Sequence, residues 1–209
     1  MIIVALGDST TAGTPGFESP LEAPPHGRGD ERSQYGWWLM RAHPGWTVLN
    51  RGVNGQRSDQ IAARLERDVL NASPAAVIII AGVNDIYQGR AAAAVQRDLQ
   101  NMYGRARANR IAIVAGSILP YNTATPDANA RMRAVNAWIR DYAARTDGIT
   151  FCDTRAAVAA SGQADLLAES PDDLHPSVEG YRRMAEPIER ALSALLGDGR
   201  RSDSARQGV

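Results

Sequence analysis

Along the chain, short apolar runs alternate with longer stretches in which apolar residues recur every three or four positions. The runs are Ile2–Leu6, Thr47–Asn50, Ala76–Ala81, Ile111–Ala115 and Ile149–Cys152. Three of them are almost wholly Val, Ile and Ala, the pattern of strands covered on both faces. Between them, Ile61, Leu65 and Val69 step by four, and Met132, Val135, Ile139 and Tyr142 step by three and four. Val178, Tyr181, Met184, Ile188, Leu192 and Leu195 do the same near the end, which predicts amphipathic helices. Thr125-Pro126 reads as an N-cap followed by proline at the first helical position. Strand and helix in alternation predict an α/β fold, a parallel sheet with helices on both faces. Ligands of such sheets lie beyond the carboxyl ends of the strands, so the residues after each run are the ones to inspect.

Two segments break the pattern. Residues 14–33 are rich in Pro, Gly and charge without periodicity, and a connection of that length is expected to be functional or disordered. Residues 198–209 carry almost no apolar side chain and are expected to form a disordered tail. A chain of 209 residues suits one domain, here 1–197, with a full core.

Composition narrows the chemistry. The formal net charge is zero, so no global field favours nucleic acid or an anionic membrane. Arg105 to Arg110 is a local basic run without aromatic residues and reads as a solvated helix end. All basic residues are arginine; the absence of lysine rules out a Schiff-base lysine and a phosphate loop of the Gly-Lys type. The single cysteine, Cys152, excludes an internal disulfide and a cysteine-cluster metal site, and its apolar setting suggests a packing thiol. No metal or cofactor is expected. No apolar run approaches the roughly 20 residues that span a bilayer. The N-terminus shows no basic leader with a cleavage site, so a cytoplasmic location is expected.

The strand ends carry a short list of polar groups. Gly7-Asp8-Ser9 follows the first run, Arg51-Gly52-Val53-Asn54-Gly55 the second and Gly82-Val83-Asn84-Asp85 the third. Tyr121-Asn122 lies beyond the fourth, and Asp172-Asp173-Leu174-His175 precedes the last helix. Each has a plain structural reading: Ser9 as a helix cap, Gly52 as a turn glycine, Asn84 as a cap. A serine nucleophile, however, needs a base, a group that orients the base, and donors for the developing oxyanion. Of His26, His43 and His175, only His175 has a carboxylate three residues earlier, Asp172. Asp85 is read as holding its turn by hydrogen bonds. Asp8, Asn54, Tyr121 and Asn122 stand at the same strand ends and are the expected substrate contacts.

Taken in order, Gly7-Asp8-Ser9, Gly52, Gly82-Val83-Asn84-Asp85 and Asp172-Asp173-Leu174-His175 resemble the four blocks of the SGNH (GDSL) hydrolase superfamily, with Thr10 where the first block commonly has Leu. The resemblance implies a flavodoxin-like three-layer sandwich around a five-stranded parallel sheet. It also implies a cofactor-free serine esterase in which Ser9 attacks, His175 is the base and Asp172, rather than Asp173, orients it. The Ser9 and Gly52 main-chain N–H groups and the Asn84 side chain would hold the oxyanion. The Gly-x-Ser-x-Gly elbow of the α/β-hydrolases is absent. Small-molecule esters with short acyl or acetyl groups are the expected substrates. Lysophospholipid or thioester hydrolysis and acyl transfer are alternatives on the same triad. A ligand-binding flavodoxin-like domain is the non-enzymatic alternative.

Overall fold

The computed structural model describes the backbone of residues 1–206 and the side chains of residues 1–197. Its strands are β1 (Ile2–Gly7), β2 (Phe17–Glu18), β3 (Arg28–Gly29), β4 (Thr47–Gly52), β5 (Ala76–Ile80), β6 (Ala112–Gly116), β7 (Ile149–Cys152), β8 (Ala159–Ala160) and β9 (Gln163–Leu167). The helices are α1 (Ser9–Ala12), α2 (Tyr35–Ala42), α3 (Ser58–Ala63), α4 (Leu65–Asp68), α5 (Val83–Tyr87), α6 (Ala92–Ala108), α7 (Pro126–Ala144), α8 (Thr154–Val158) and α9 (Val178–Arg206).

The five expected strands form one parallel sheet in the order β4-β1-β5-β6-β7. Alternate residues of each strand serve different cores. Val4, Leu6, Val77 and Ile79 pack with Ile61, Leu65, Leu99, Met102 and Met132 from α3, α4, α6 and α7. Ile3, Ala5, Ile78 and Ile80 pack with Tyr35 and Leu39 of α2 and Tyr181, Met184 and Ile188 of α9. Both strand faces are therefore buried, which is why the runs are continuously apolar instead of alternating. This is the three-layer α/β sandwich. β1 has β4 on one side and β5 on the other, so the chain reverses direction across the sheet at β1, creating a crevice beyond Gly7 and Ile80.

The differences from expectation are local. β1 and β4 run on to Gly7 and Gly52, so Gly52 lies inside the ladder, opposite Gly7. The helix expected through Ile61, Leu65 and Val69 is broken at Arg64 into α3 and α4. Residues 14–33 are ordered around the β2–β3 ladder, and the Tyr181 hydroxyl donates to Thr14 O at 2.8 Å. The stretch read as a disordered tail continues α9 as far as Arg206, since extending a formed helix needs no new nucleus; its last three residues, 207–209, lie outside the described residues. Thr125 caps α7 by accepting from Ala128 N, with Pro126 at the first helical position. No helix among the described residues is long and apolar enough to cross a membrane.

Candidate active site

The nucleophile block begins with a glycine that nothing larger could replace: a Cβ on Gly7 would lie 2.2 Å from Thr11 Oγ1 and 2.5 Å from Ile80 O. The chain then turns into α1, and the cap is Asp8, whose Oδ1 accepts from Thr10 N at 3.0 Å. Ser9 is thus the first helical residue and not the cap, and its main-chain N–H has no partner among the described residues. Asp8 is buried with Oδ2 unpaired, and burial pushes its carboxyl up to about 7. Among the described residues its carboxylate takes one hydrogen bond, from α1, and so shapes the turn under Ser9.

Gly52 does not fill the role expected of it. Its N–H donates to Asn50 Oδ1 at 2.9 Å, and a Cβ there would lie 2.0 Å from Ala12 N. The N–H is spent and the glycine exists so that α1 can rest directly on β4, a position also fixed by Asn50 Nδ2 donating to Ala12 O at 3.0 Å. Three residues on, Gly55 has φ +71, open space above its Cα and an N–H without a partner among the described residues. The Asn54-Gly55 pair is a turn signal, and the left-handed conformation is what glycine supplies there. Asn54 is exposed and is tied back to the 14–33 segment by Thr14 Oγ1, which donates to its side-chain oxygen, and by its own N–H, which donates to Glu22 Oε1.

After β5, Gly82 has φ +126 and starts α5. Asn84 Nδ2 donates one hydrogen to Gln56 O at 3.0 Å, linking α5 to the loop that carries Gly55 and leaving the second amide hydrogen free. Asp85 is fully buried and accepts from Ser58 N and Ser58 Oγ, both at 2.8 Å, and from Arg90. Its carboxylate therefore ties α5 to the start of α3 and to Arg90 rather than closing its own turn.

The fourth segment is a tight turn before α9. Asp172 Oδ1 accepts from Leu174 N and His175 N, and its Oδ2 lies 2.7 Å from His175 Nδ1. Burial works to raise the Asp172 pKa, but the hydrogen bonds from the His175 ring and from the two main-chain N–H groups win and hold it below the usual range. Asp173 points elsewhere: with φ +62, its carbonyl accepts from Asn122 N at 2.7 Å and its Oδ1 from Asn122 Nδ2 at 3.2 Å. Asn122 Oδ1 in turn accepts from Leu167 N, so Asn122 braces the turn. Tyr121 is buried, edge-on to the exposed ring of Tyr87 at 5.9 Å.

His175 is buried, its carbonyl takes the Ser170 hydroxyl at 2.7 Å, and its Nε2 is buried without a partner. No hydrogen bond joins Ser9 Oγ to His175 Nε2. The two segments are nevertheless linked in space: the Tyr181 hydroxyl, on the helix that follows His175, donates to Thr14 O at 2.8 Å, and Pro15 and Gly16 line one cleft with Pro171 and Pro176. The other histidines stay away; His43 pairs with Glu189 at 2.8 Å and stacks on Trp46, and His26 lies exposed in the 14–33 segment. Cys152 is buried with its thiol pushed up to about 12, a packing residue. Among the described residues, no three His, Cys, Asp or Glu side chains are grouped as a metal site would need. Two contributors escaped the sequence reading. Gly55 was signalled only by its Asn-Gly dipeptide; Arg64 had no local signal.

The model of the GDSL-like lipase/acylhydrolase family matches residues 5–183. No curated protein sequence matches the chain. Among solved structures, a GDSL-like lipase from Bacteroides thetaiotaomicron is 27% identical, with 92% of this chain and 88% of that one covered at a TM-score of 0.70. A member of the lipolytic protein G-D-S-L family from Veillonella parvula is 20% identical, with 91% and 97% covered at a TM-score of 0.74. A catalytic mutant of an acetylxylan esterase from Geobacillus stearothermophilus is 22% identical, with 91% and 93% covered at a TM-score of 0.73; the last two likenesses speak to the fold. With its four blocks gathered at the carboxyl edge of this sheet and the family model spanning all of them, the chain belongs to the GDSL-like lipase/acylhydrolase family and is a carboxylic ester hydrolase.

Proposed function

We propose that the protein hydrolyses short-chain acyl or acetyl esters through an acyl-enzyme on Ser9, with His175 as base and then acid and Asp172 orienting the imidazole. The observation that carries this reading is the state of His175: Nδ1 is fixed by Asp172 at 2.7 Å while Nε2 is buried and unpaired. A ring held in one tautomer with its other nitrogen unsatisfied is what a general base for a neighbouring hydroxyl requires. Rotation of the Ser9 side chain, tightened by bound substrate, would bring Oγ to Nε2. The oxyanion is received by the unpaired N–H groups of Ser9 and Gly55 and the free hydrogen of Asn84 Nδ2; Gly55 takes the place expected of Gly52.

The proton balance is simple. His175 Nε2 takes the Ser9 proton as Oγ attacks the carbonyl, then returns it to the departing alkoxide; water repeats the sequence to release the acid. Beside the histidine turn, Pro15, Gly16, Ser33, Glu169, Pro171 and Pro176 line a cleft of about 470 Å³ that suits a small leaving group. The acetylxylan esterase likeness fits a short acyl group. The test is a panel of p-nitrophenyl esters of rising acyl length with wild type and Ser9→Ala. Activity is expected to be greatest at two to four acyl carbons, about 10⁶-fold lower in S9A, and accompanied by wild-type labelling with a fluorophosphonate. An S9A protein that keeps most of its esterase activity would falsify the assignment.

A further inference from the structure

Arg64 sits at the break between α3 and α4, is 7% exposed, and turns its guanidinium inward under the carboxyl ends of two strands. Nη2 donates to Gly7 O at 2.7 Å, the last carbonyl of β1, two residues before Ser9. Nη1 donates to Arg51 O at 2.8 Å, near the end of β4, and to Asp68 Oδ2 at 2.7 Å. Nε donates to the side chain of Gln56 at 2.7 Å, and the Gln56 carbonyl is the one that receives Asn84 Nδ2. Gly7 O also accepts from Val53 N at 3.2 Å, so the same carbonyl joins β1 to the loop leading to Gly55.

One buried cation therefore contacts, directly or through one residue, each of the three segments that present an oxyanion donor. We propose that Arg64 is the positioning residue of the oxyanion pocket: it touches no substrate and fixes the relative placement of Ser9 N–H, Gly55 N–H and Asn84 Nδ2. This rests on the serine-esterase reading above. The physical reason is that such donors act through preorganisation, since donors that must be gathered during the reaction lose much of their effect. A planar guanidinium can bridge carbonyls at fixed angles, and an ammonium cannot replace the fork. Asp68 supplies the countercharge without which a buried arginine would be costly, and is itself paired with Arg67. Breaking the α3–α4 helix is the local sacrifice that lets Arg64 reach the strand ends.

The test compares wild type, Arg64→Lys, Gln56→Ala and Ser9→Ala with p-nitrophenyl acetate and with an alkylboronic acid, which forms a tetrahedral adduct on a nucleophilic serine. In the variants that keep Ser9, active protein is counted by fluorophosphonate titration, so lost folding does not register as lost turnover; S9A is compared per folded protein, counted by its melting transition. R64K is expected to lower kcat by about 10- to 100-fold, below the cost of deleting a donor outright. KM should stay within about twofold, and boronate affinity should weaken by a factor similar to kcat. Q56A, which removes only the Nε link, should move both quantities in the same direction by a smaller factor, and it carries the test if R64K does not fold. The proposal is overturned if kcat per active site and boronate affinity remain near wild type in the folded variants, or if KM alone changes. If S9A is inactive and R64K is normal, only the positioning role fails; if S9A stays active, the esterase reading fails first.

Discussion

On the nucleophile side of the site, the polar groups are held by partners far away in sequence. Ser58 and Asp85 are 27 positions apart, and Arg64 and Gly7 are 57 apart. Each is buried, and each bond closes one strand-end segment against another. On the histidine side, Asp172 reaches His175 three positions on, and the turn satisfies itself through the Leu174 and His175 N–H groups; Asn122 alone braces it from a distance. The difference teaches where stability and rate are coupled. Long-range buried bonds on the first side make a catalytic pocket that is also part of the core. The second side is a local turn ahead of α9 whose hydrogen bonds close within a few residues, although the His175 ring itself is buried.

The sharpest way to break that comparison is at the histidine. His175→Ala should lower kcat by about 10⁶-fold, and Asp172→Asn by about 10⁴-fold through loss of the correct tautomer. Both should leave the thermal midpoint within a few degrees of wild type; steady-state kinetics and a melting curve on the same sample check this. A large fall in the midpoint of D172N would mean that the turn is not self-contained.

Asn84→Ala, across the site, should cost about 10²- to 10³-fold in kcat with a smaller change in KM. Because Asn84 also anchors Gln56 O, a modest loss of stability should accompany it, unlike H175A. The two glycines separate packing from catalysis. Gly52→Ala places a methyl against the Ala12 backbone and should destabilise by about 1–3 kcal/mol or prevent folding. Gly55→Ala meets no atom and should cost only the left-handed strain of about 1–2 kcal/mol. Denaturant titration of both variants measures the contrast; equal losses would remove the distinction drawn between them.

An effect of similar size, visible only through pH, concerns Asp8. Its carboxyl is raised to about 7 in the folded protein from an ordinary value of 3.8, burial being the main cause. Between those values the folded state keeps a proton that the unfolded chain has lost. Stability contributed by this group therefore falls as pH rises through that window and is flat above it. Asp8→Asn is neutral at every pH and can still accept from Thr10 N. Its stability relative to wild type should grow by about 1–3 kcal/mol from pH 5 to pH 8, measured by denaturant unfolding at the two pH values. A pH-independent difference would show that Asp8 is ionised throughout.

Much of this architecture is legible without coordinates. The apolar runs named the five sheet strands to within a residue or two, most plainly in β1, β5 and β6, where burial on both faces leaves no room for a polar position in the pattern. Thr125-Pro126 named the start of α7 for a reason wholly local. The pairing of Asp172 with His175 was visible as a three-residue spacing. Gly52 was misread because a glycine near a strand end looks the same whether it frees an N–H or admits a neighbouring backbone. Asp8 and Asn122 show the same ambiguity: each polar side chain at a strand end makes a hydrogen bond that serves the fold.

The sequence by itself determined which segments become strands and helices, and which chemical groups stand at the sheet's carboxyl edge. These follow from periodicity and from short-range spacing, which operate within a few residues. Only the tertiary structure decided which of those groups remain unpaired: Gly55 N–H instead of Gly52 N–H, and His175 Nε2 with nothing bound. It also decided that Arg64 leaves its helix to hold two strand ends. A hydrogen-bonding group is available for chemistry only when every other partner in reach is taken, and that depends on segments brought together from across the whole chain.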